Sequence, residues 1–87
     1  MFSKQALSDG LEVSAAQALF YLAAEPGQTV TQIARKMHLT HPAISYAMKD
    51  LVDRGLADWT HGIHDQRTRE YRLTDSGWDR IEAIAGD

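Results

Sequence analysis

Two short stretches of this 87-residue chain hold the side chains best suited to directed hydrogen bonding. Ser45 and Lys49 stand four positions apart with Tyr46 beside Ser45, so on a helix all three share one face. An ammonium and a hydroxyl presented together can donate to phosphate oxygens or to acceptors on a base edge. Thr40, His41 and Pro42 lie just upstream, where the unpaired amides of a helix N-terminus would favour an anion. The second stretch is the polar run Thr60 to Thr68, which holds Asp65 and Arg67, with Arg69 directly after it. A guanidinium is a rigid fork of donors matched to carboxylate or phosphate.

Other chemistry is poorly supported. His61-Gly62-Ile63-His64 has a spacing that suits a loop metal site, but two imidazoles are too few alone. The chain has no cysteine, which removes thiolate ligands, disulfides and thiol catalysis. No serine, histidine and acid arrangement suggests catalysis, and so small a chain is expected to offer no cleft for Ser45 and the histidines. No catalytic residue, metal or cofactor is therefore assigned.

Composition bounds the class. Hydrophobic residues make up 44% and charged residues 24%, an ordinary globular mixture. The longest apolar run, Ala18 to Ala24, is too short to span a bilayer. No basic and apolar leader opens the sequence, so the expected location is cytoplasmic and no membrane contact is expected. The formal charge of −3 argues against a generic polyanion binder. Its distribution is uneven: residues 1–30 carry −2, residues 31–72 carry +2 and residues 73–87 carry −3.

The positioning elements follow from punctuation and periodicity. Ser3 caps a short helix to Leu7 that Gly10 ends. Ser14 and Gln17 read as a capping box opening a helix to about Glu25, stopped by Pro26-Gly27. Its interior is apolar on every side, which demands cover on more than one face, from the terminal helices or a partner subunit. Gln28-Thr29-Val30 reads as extended. Thr31 caps a second helix, Gln32 to Met37, and His38-Leu39 turns, with His38 at a position of positive φ.

Thr40 caps a third helix with Pro42 in its first turn, running to Arg54 and stopped by Gly55. Ile44, Ala47, Met48, Leu51 and Val52 form its apolar stripe. Its other face carries His41, Ser45, Tyr46, Lys49, Asp50 and Asp53, and the two aspartates would repel phosphate if they faced it. Leu56 to Trp59 and Arg69 to Leu73 read as strands of a hairpin, with Arg69, Tyr71 and Leu73 on one face. Arg69 and Arg72 read as strand-face ion pairs, and Trp59 as packed beside the loop. Thr74 caps a last helix with Trp78, Ile81, Ile84 and Ala85 as its stripe. The expected fold is mainly α (α+β): a winged helix-turn-helix with a two-stranded β-hairpin wing and short terminal helices. One domain is expected over residues 1–87, comprising an N-terminal helix (1–10), the helix-turn-helix (31–55), the wing (56–73) and a C-terminal helix (74–87).

That order has a mechanical meaning. The third helix packs its stripe on the first two and leaves an outer face of a size the DNA major groove admits, while the hairpin reaches sideways. The chain resembles the MarR (multiple-antibiotic-resistance regulator) family of winged-helix repressors from about Val13 to Gly77. The most specific match is the wing, Asp65-Gln66-Arg67, then Leu73-Thr74 and Gly77, similar to that family's D-x-R and L-T-x-x-G pattern at matching spacing. The resemblance implies a dimeric, sequence-specific regulator of transcription on double-stranded DNA. By it, helix 41–54 reads the major groove, wing 60–68 lies on the minor groove with Arg67 inserted, and Asp65 holds the wing loop in shape. A homodimer seam is expected along the first and last helices. A small-molecule effector is not expected, because the family's pocket lies beside long dimer helices and both terminal helices here are short. The alternative is an acidic protein-interaction module on the same scaffold.

Overall fold

The structure is a computed structural model and describes residues 10–86; the expected Ser3–Leu7 helix lies outside them. The order is α1 (Val13–Ala24), α2 (Val30–Met37), α3 (His41–Asp53), β1 (Ala57–His61), β2 (Arg69–Leu73) and α4 (Asp75–Ala85). This is the winged helix-turn-helix that the sequence pattern predicts.

α1 is the axis of the core. Ala15, Ala16, Ala18, Leu19 and Leu22 are buried on it, and α2, α3, α4 and β2 all pack against it. The all-round apolar pattern is thus largely satisfied within the chain, which answers the demand for a second cover. The small alanines let neighbouring backbones approach, while Leu19 and Leu22 are fully buried large side chains of the same helix. Ile33 from α2, Ile44, Met48 and Leu51 from α3, and Ile84 from α4 complete the centre.

Two cap assignments are corrected. α1 begins at Val13 with Glu12 as N-cap and no side-chain cap, so Ser14 and Gln17 form no capping box. Burial of Leu11 draws the chain into the core earlier, and the helix starts at Val13, one residue before Ser14. α2 is capped by Thr29, not Thr31. Thr29 Oγ1 accepts from the Gln32 amide at 3.2 Å, and Gln32 Oε1 accepts from the Thr29 amide at 2.9 Å. The Thr-x-x-Gln spacing of a capping box sits at 29 and 32, whereas Thr31 lacks a Glu or Gln three residues on. Elsewhere the expected caps hold. Thr40 caps α3, Thr74 caps α4, Gly55 has φ +75 and His38 has φ +56.

The hairpin is a two-stranded antiparallel sheet, with Ala57 opposite Leu73, Trp59 opposite Tyr71 and His61 opposite Arg69. β1 runs two residues beyond the predicted Trp59, because the five-residue partner strand offers pairing to Thr60 and His61. The sheet is fastened to the helices by Gln28, a polar side chain only 1% exposed. Its backbone carbonyl accepts from the Tyr71 amide at 2.8 Å, and the Gly27 amide donates to the Tyr71 carbonyl at 2.8 Å. Its side-chain amide donates to the Tyr21 and Glu25 carbonyls at the end of α1, and its oxygen accepts from Lys36 on α2 at 2.7 Å.

The Leu73-Thr74 and Gly77 segment fastens the other end. Thr74 Oγ1 donates to the Gly55 carbonyl at 2.6 Å and accepts from the Gly77 amide at 3.1 Å. A methyl group on Gly77 would fall on the Leu56 carbonyl oxygen and 3.1 Å from Leu73 Cδ2. α4 therefore lies against the α3–β1 turn at a distance only glycine allows. Gly77→Ala is expected to lower unfolding free energy by about 1–3 kcal/mol through overpacking. Urea denaturation followed by circular dichroism measures it, and an unchanged midpoint would contradict this packing.

Candidate nucleic-acid interface

α3 presents an outward face because Ile44, Ala47, Met48 and Leu51, recurring at helical spacing, turn inward. His41, Pro42, Ala43, Tyr46, Lys49 and Asp53 are exposed, with Ser45 half-buried. Tyr46 is 67% exposed and takes no part in the core. The helix start is already partly satisfied: Thr40 Oγ1 accepts the Ala43 amide at 3.2 Å and Pro42 has no amide to offer. That leaves fewer free amides for an anion than the sequence suggests. Ser45 Oγ lies 3.3 Å from His41 Nδ1.

Three charged pairs shape the face. Lys49 Nζ donates to Asp53 Oδ2 at 2.7 Å, and that bond, followed by the attraction of the carboxylate, raises the Lys49 pKa above its ordinary value. Asp50 instead accepts from Arg54 Nε at 3.0 Å in a partly buried pair. In the wing loop, 62–68, Asp65 Oδ1 accepts from the Arg67 backbone amide at 2.9 Å and from Arg67 Nε at 3.1 Å, while Oδ2 takes Nη2 at 3.3 Å. The Arg67 side-chain bond and then its amide lower the Asp65 pKa. Thr68 bonds the Asp65 carbonyl twice, through its amide at 3.1 Å and its hydroxyl at 2.8 Å. The Gly62 amide donates to the Thr68 carbonyl at 3.0 Å, and an added Cβ on Gly62 would meet the Thr68 hydroxyl and stand 2.9 Å from the Asp65 carbonyl. The Asp-x-Arg spacing is thus a closed loop in which one carboxylate holds both ends of the arginine.

The strand-face arginines depart from expectation. Among the described residues Arg69 forms no ion pair; its guanidinium lies 4.1 Å over the Trp59 ring, a cation–π contact. Arg72 donates to Thr60 Oγ1 at 3.0 Å. Trp59 in turn meets the His61 ring edge to face at 5.2 Å.

α3 and the hairpin enclose an open groove of about 570 Å³. It brings together His41, Ser45 and Lys49 from α3 with Arg67 and Arg69 from the wing, over a floor that includes Val30 and Tyr71. A cleft is thus present where none was expected, formed where α3, the wing and the start of α2 meet. Thr40, Pro42, Tyr46 and Asp65 lie outside it. Sequence reasoning missed Thr29 and Thr31, which border the groove, and Gln28, which ties β2 to the end of α1 and to α2 beside it. Only the capping-box spacing at Thr29 could have flagged any of them. Among the described residues, no three His, Asp or Glu side chains are grouped to hold a metal, and no helix is long and apolar enough to cross a membrane.

Because the folded-state pKa of Asp65 lies below its unfolded value, its pairing is intact at neutral pH and is lost as pH falls through that lowered value. An NMR titration of the Arg67 amide is expected to show a midpoint below the ordinary aspartate value of 3.8. A midpoint at or above it would mean the loop is not held by this carboxylate.

Comparison with known proteins agrees with the geometry. A family model described as "MarR family" matches residues 9–68. The HTH-type transcriptional regulator PetP of Rhodobacter capsulatus is 31% identical over 61 residues, covering 70% of this chain and 37% of PetP. An uncharacterised HTH-type transcriptional regulator of Mycobacterium tuberculosis is 38% identical over 53 residues, covering 61% of this chain and 34% of that protein. The S. aureus MepR–DNA complex superposes with a TM-score of 0.84 at 28% identity, covering 91% of this chain and 66% of MepR. The chain therefore spans about a third of the curated relatives it matches. With its helix-turn-helix and most of its wing inside the matched span, the chain belongs to the MarR family.

Proposed function

We propose that the chain is a double-stranded DNA-binding transcriptional regulator, with α3 in the major groove and the wing on the adjacent minor groove. The observation that carries this reading is the groove itself, which gathers Ser45, Lys49, Arg67 and Arg69 from two elements onto one open side. A duplex edge is the kind of ligand that meets a helix and a flanking loop together. The net charge is acidic, yet these cations are local to the face, and phosphate contact depends on local rather than total charge. Lys49 and Ser45 supply donors to base edges or phosphates. Arg67 suits the negative potential of a narrow minor groove, and Asp65 preorganises the loop that carries it. Thr40, His41, Pro42, Tyr46 and Arg69 flank these contacts. The likeness to MepR, solved with DNA, supports the same docking.

Lys49→Ala and Arg67→Ala are each expected to weaken binding to a selected duplex about 5- to 150-fold. Fluorescence anisotropy at two salt concentrations measures this, and affinity should fall steeply as salt rises. Unchanged affinity in both variants would place the DNA face elsewhere. Absence of duplex binding by the wild-type chain at low salt would favour the protein-interaction alternative.

A homodimer is part of this proposal. Val13 on α1 is 54% exposed and Trp78 on α4 is 48% exposed, while Ile84 of the same stripe is buried in the chain's own core. Two copies would set their third helices about 34 Å apart on a pseudo-palindrome. Light scattering at micromolar concentration is expected to give twice the chain mass; a monomer both free and on DNA would remove the two-half-site arrangement.

A further inference from the structure

The groove holds one carboxylate among its described lining residues, that of Asp53. The other outward aspartate of α3, Asp50, does not border it and is engaged by Arg54. Asp53 has a side chain 60% exposed, and among the described residues that side chain bonds to Lys49 alone. Helix stability does not account for it. Asp53 is the last residue of α3, where the negative end of the helix dipole disfavours an anion. The order Lys then Asp at four residues is also the weaker orientation of an exposed pair. Nor does affinity for phosphate account for it, since a carboxylate in such a groove repels the backbone.

We propose that Asp53 is a specificity-determining residue, the acceptor half of a Lys49–Asp53 reader for a G·C-containing step in the major groove. This rests on the DNA-binding reading above. Guanine offers O6 and N7 acceptors to an ammonium, and cytosine offers its N4 amine to a carboxylate. Four residues of helix rise about 6 Å, which spreads the two side chains over neighbouring base pairs. On a mismatched duplex Lys49 stays bound to Asp53 and is withheld from phosphate and base acceptors, while the carboxylate still brings negative charge toward the backbone. On the matching step each finds a complementary edge, so exchanging their mutual bond leaves neither unsatisfied. Asp53 thus works chiefly by making the wrong sequence unfavourable.

The test uses the full chain and its Asp53→Asn variant, each put through selection from a random duplex pool, then measured on the wild-type-selected site and on a random duplex. Asp53→Asn is expected to bind the random duplex about 3- to 10-fold more tightly and to cut the selected-to-random affinity ratio about 10-fold, the scale of one base-pair mismatch. The selected consensus should lose one C·G preference per half-site. Asp53→Glu, which keeps the charge, should restore the low affinity for random duplex. Circular dichroism should show Asp53→Asn as helical as wild type, and Asp53→Ala provides a second neutral variant. An unchanged ratio and unchanged consensus in the neutral variants overturns the role of Asp53 while leaving the DNA reading intact. A wild-type chain that binds duplex without sequence preference also overturns it. A wild-type chain that binds no duplex removes both.

Discussion

The groove between α3 and the wing depends on the docking of β2 against the end of α1. Tyr71 exchanges two backbone hydrogen bonds with Gly27 and Gln28 on one side and pairs with Trp59 on the other, so it is the middle position of a three-stranded contact one residue long. The Gln28 side chain then spends both ends of its amide on α1 carbonyls and Lys36. A buried amide with every group satisfied fixes geometry, because any displacement leaves a desolvated donor or acceptor unpaired. Thr74 and Gly77 clamp the opposite end of the hairpin to the α3–β1 turn. Between these two anchors the angle of the hairpin to α3 is set, and with it the groove.

Within that frame the cations are held rather than free. Lys49 rests on Asp53, Arg67 on Asp65 and Arg69 on the face of Trp59. Each holder is different in kind, and so is the consequence. Exposed ion pairs contribute little to stability and yield readily to another anion. The Asp65 carboxylate also binds the Arg67 backbone amide, so it continues to shape the loop when the guanidinium leaves. The Trp59 face leaves the guanidinium edge of Arg69 available for hydrogen bonding. An acidic chain can thus present a cationic groove, with charge placement rather than total charge deciding what the face attracts.

Elements fixed by short-range chemistry were legible. Thr40, Gly55, His38 and Thr74 mark their turns because a cap or a positive φ is a property of a few adjacent residues. The apolar spacing of α3 likewise told which side faces inward. The Asp65-to-Gly77 motif was legible as a pattern, and its geometry gives each residue a reason: a loop clasp, a buried Leu73, a two-way Thr74 bond and a contact that excludes a Cβ. The start of α1 was misread because burial of Leu11 outweighed a local Ser14–Gln17 preference.

The sequence by itself determined the helices, the turn and the hairpin, and therefore the winged helix-turn-helix order, since these follow from periodicities and caps within about a dozen residues. Only the tertiary structure decided that Gln28 is a core residue, that Arg69 stacks on Trp59 instead of pairing with an acid, and that Asp53 rather than Asp50 borders the groove. Those outcomes depend on which surfaces meet when separate elements pack together. A polar side chain carries no mark in sequence of whether its partner is water, a distant carbonyl or a ring; that is fixed by the packing that brings the partner within reach.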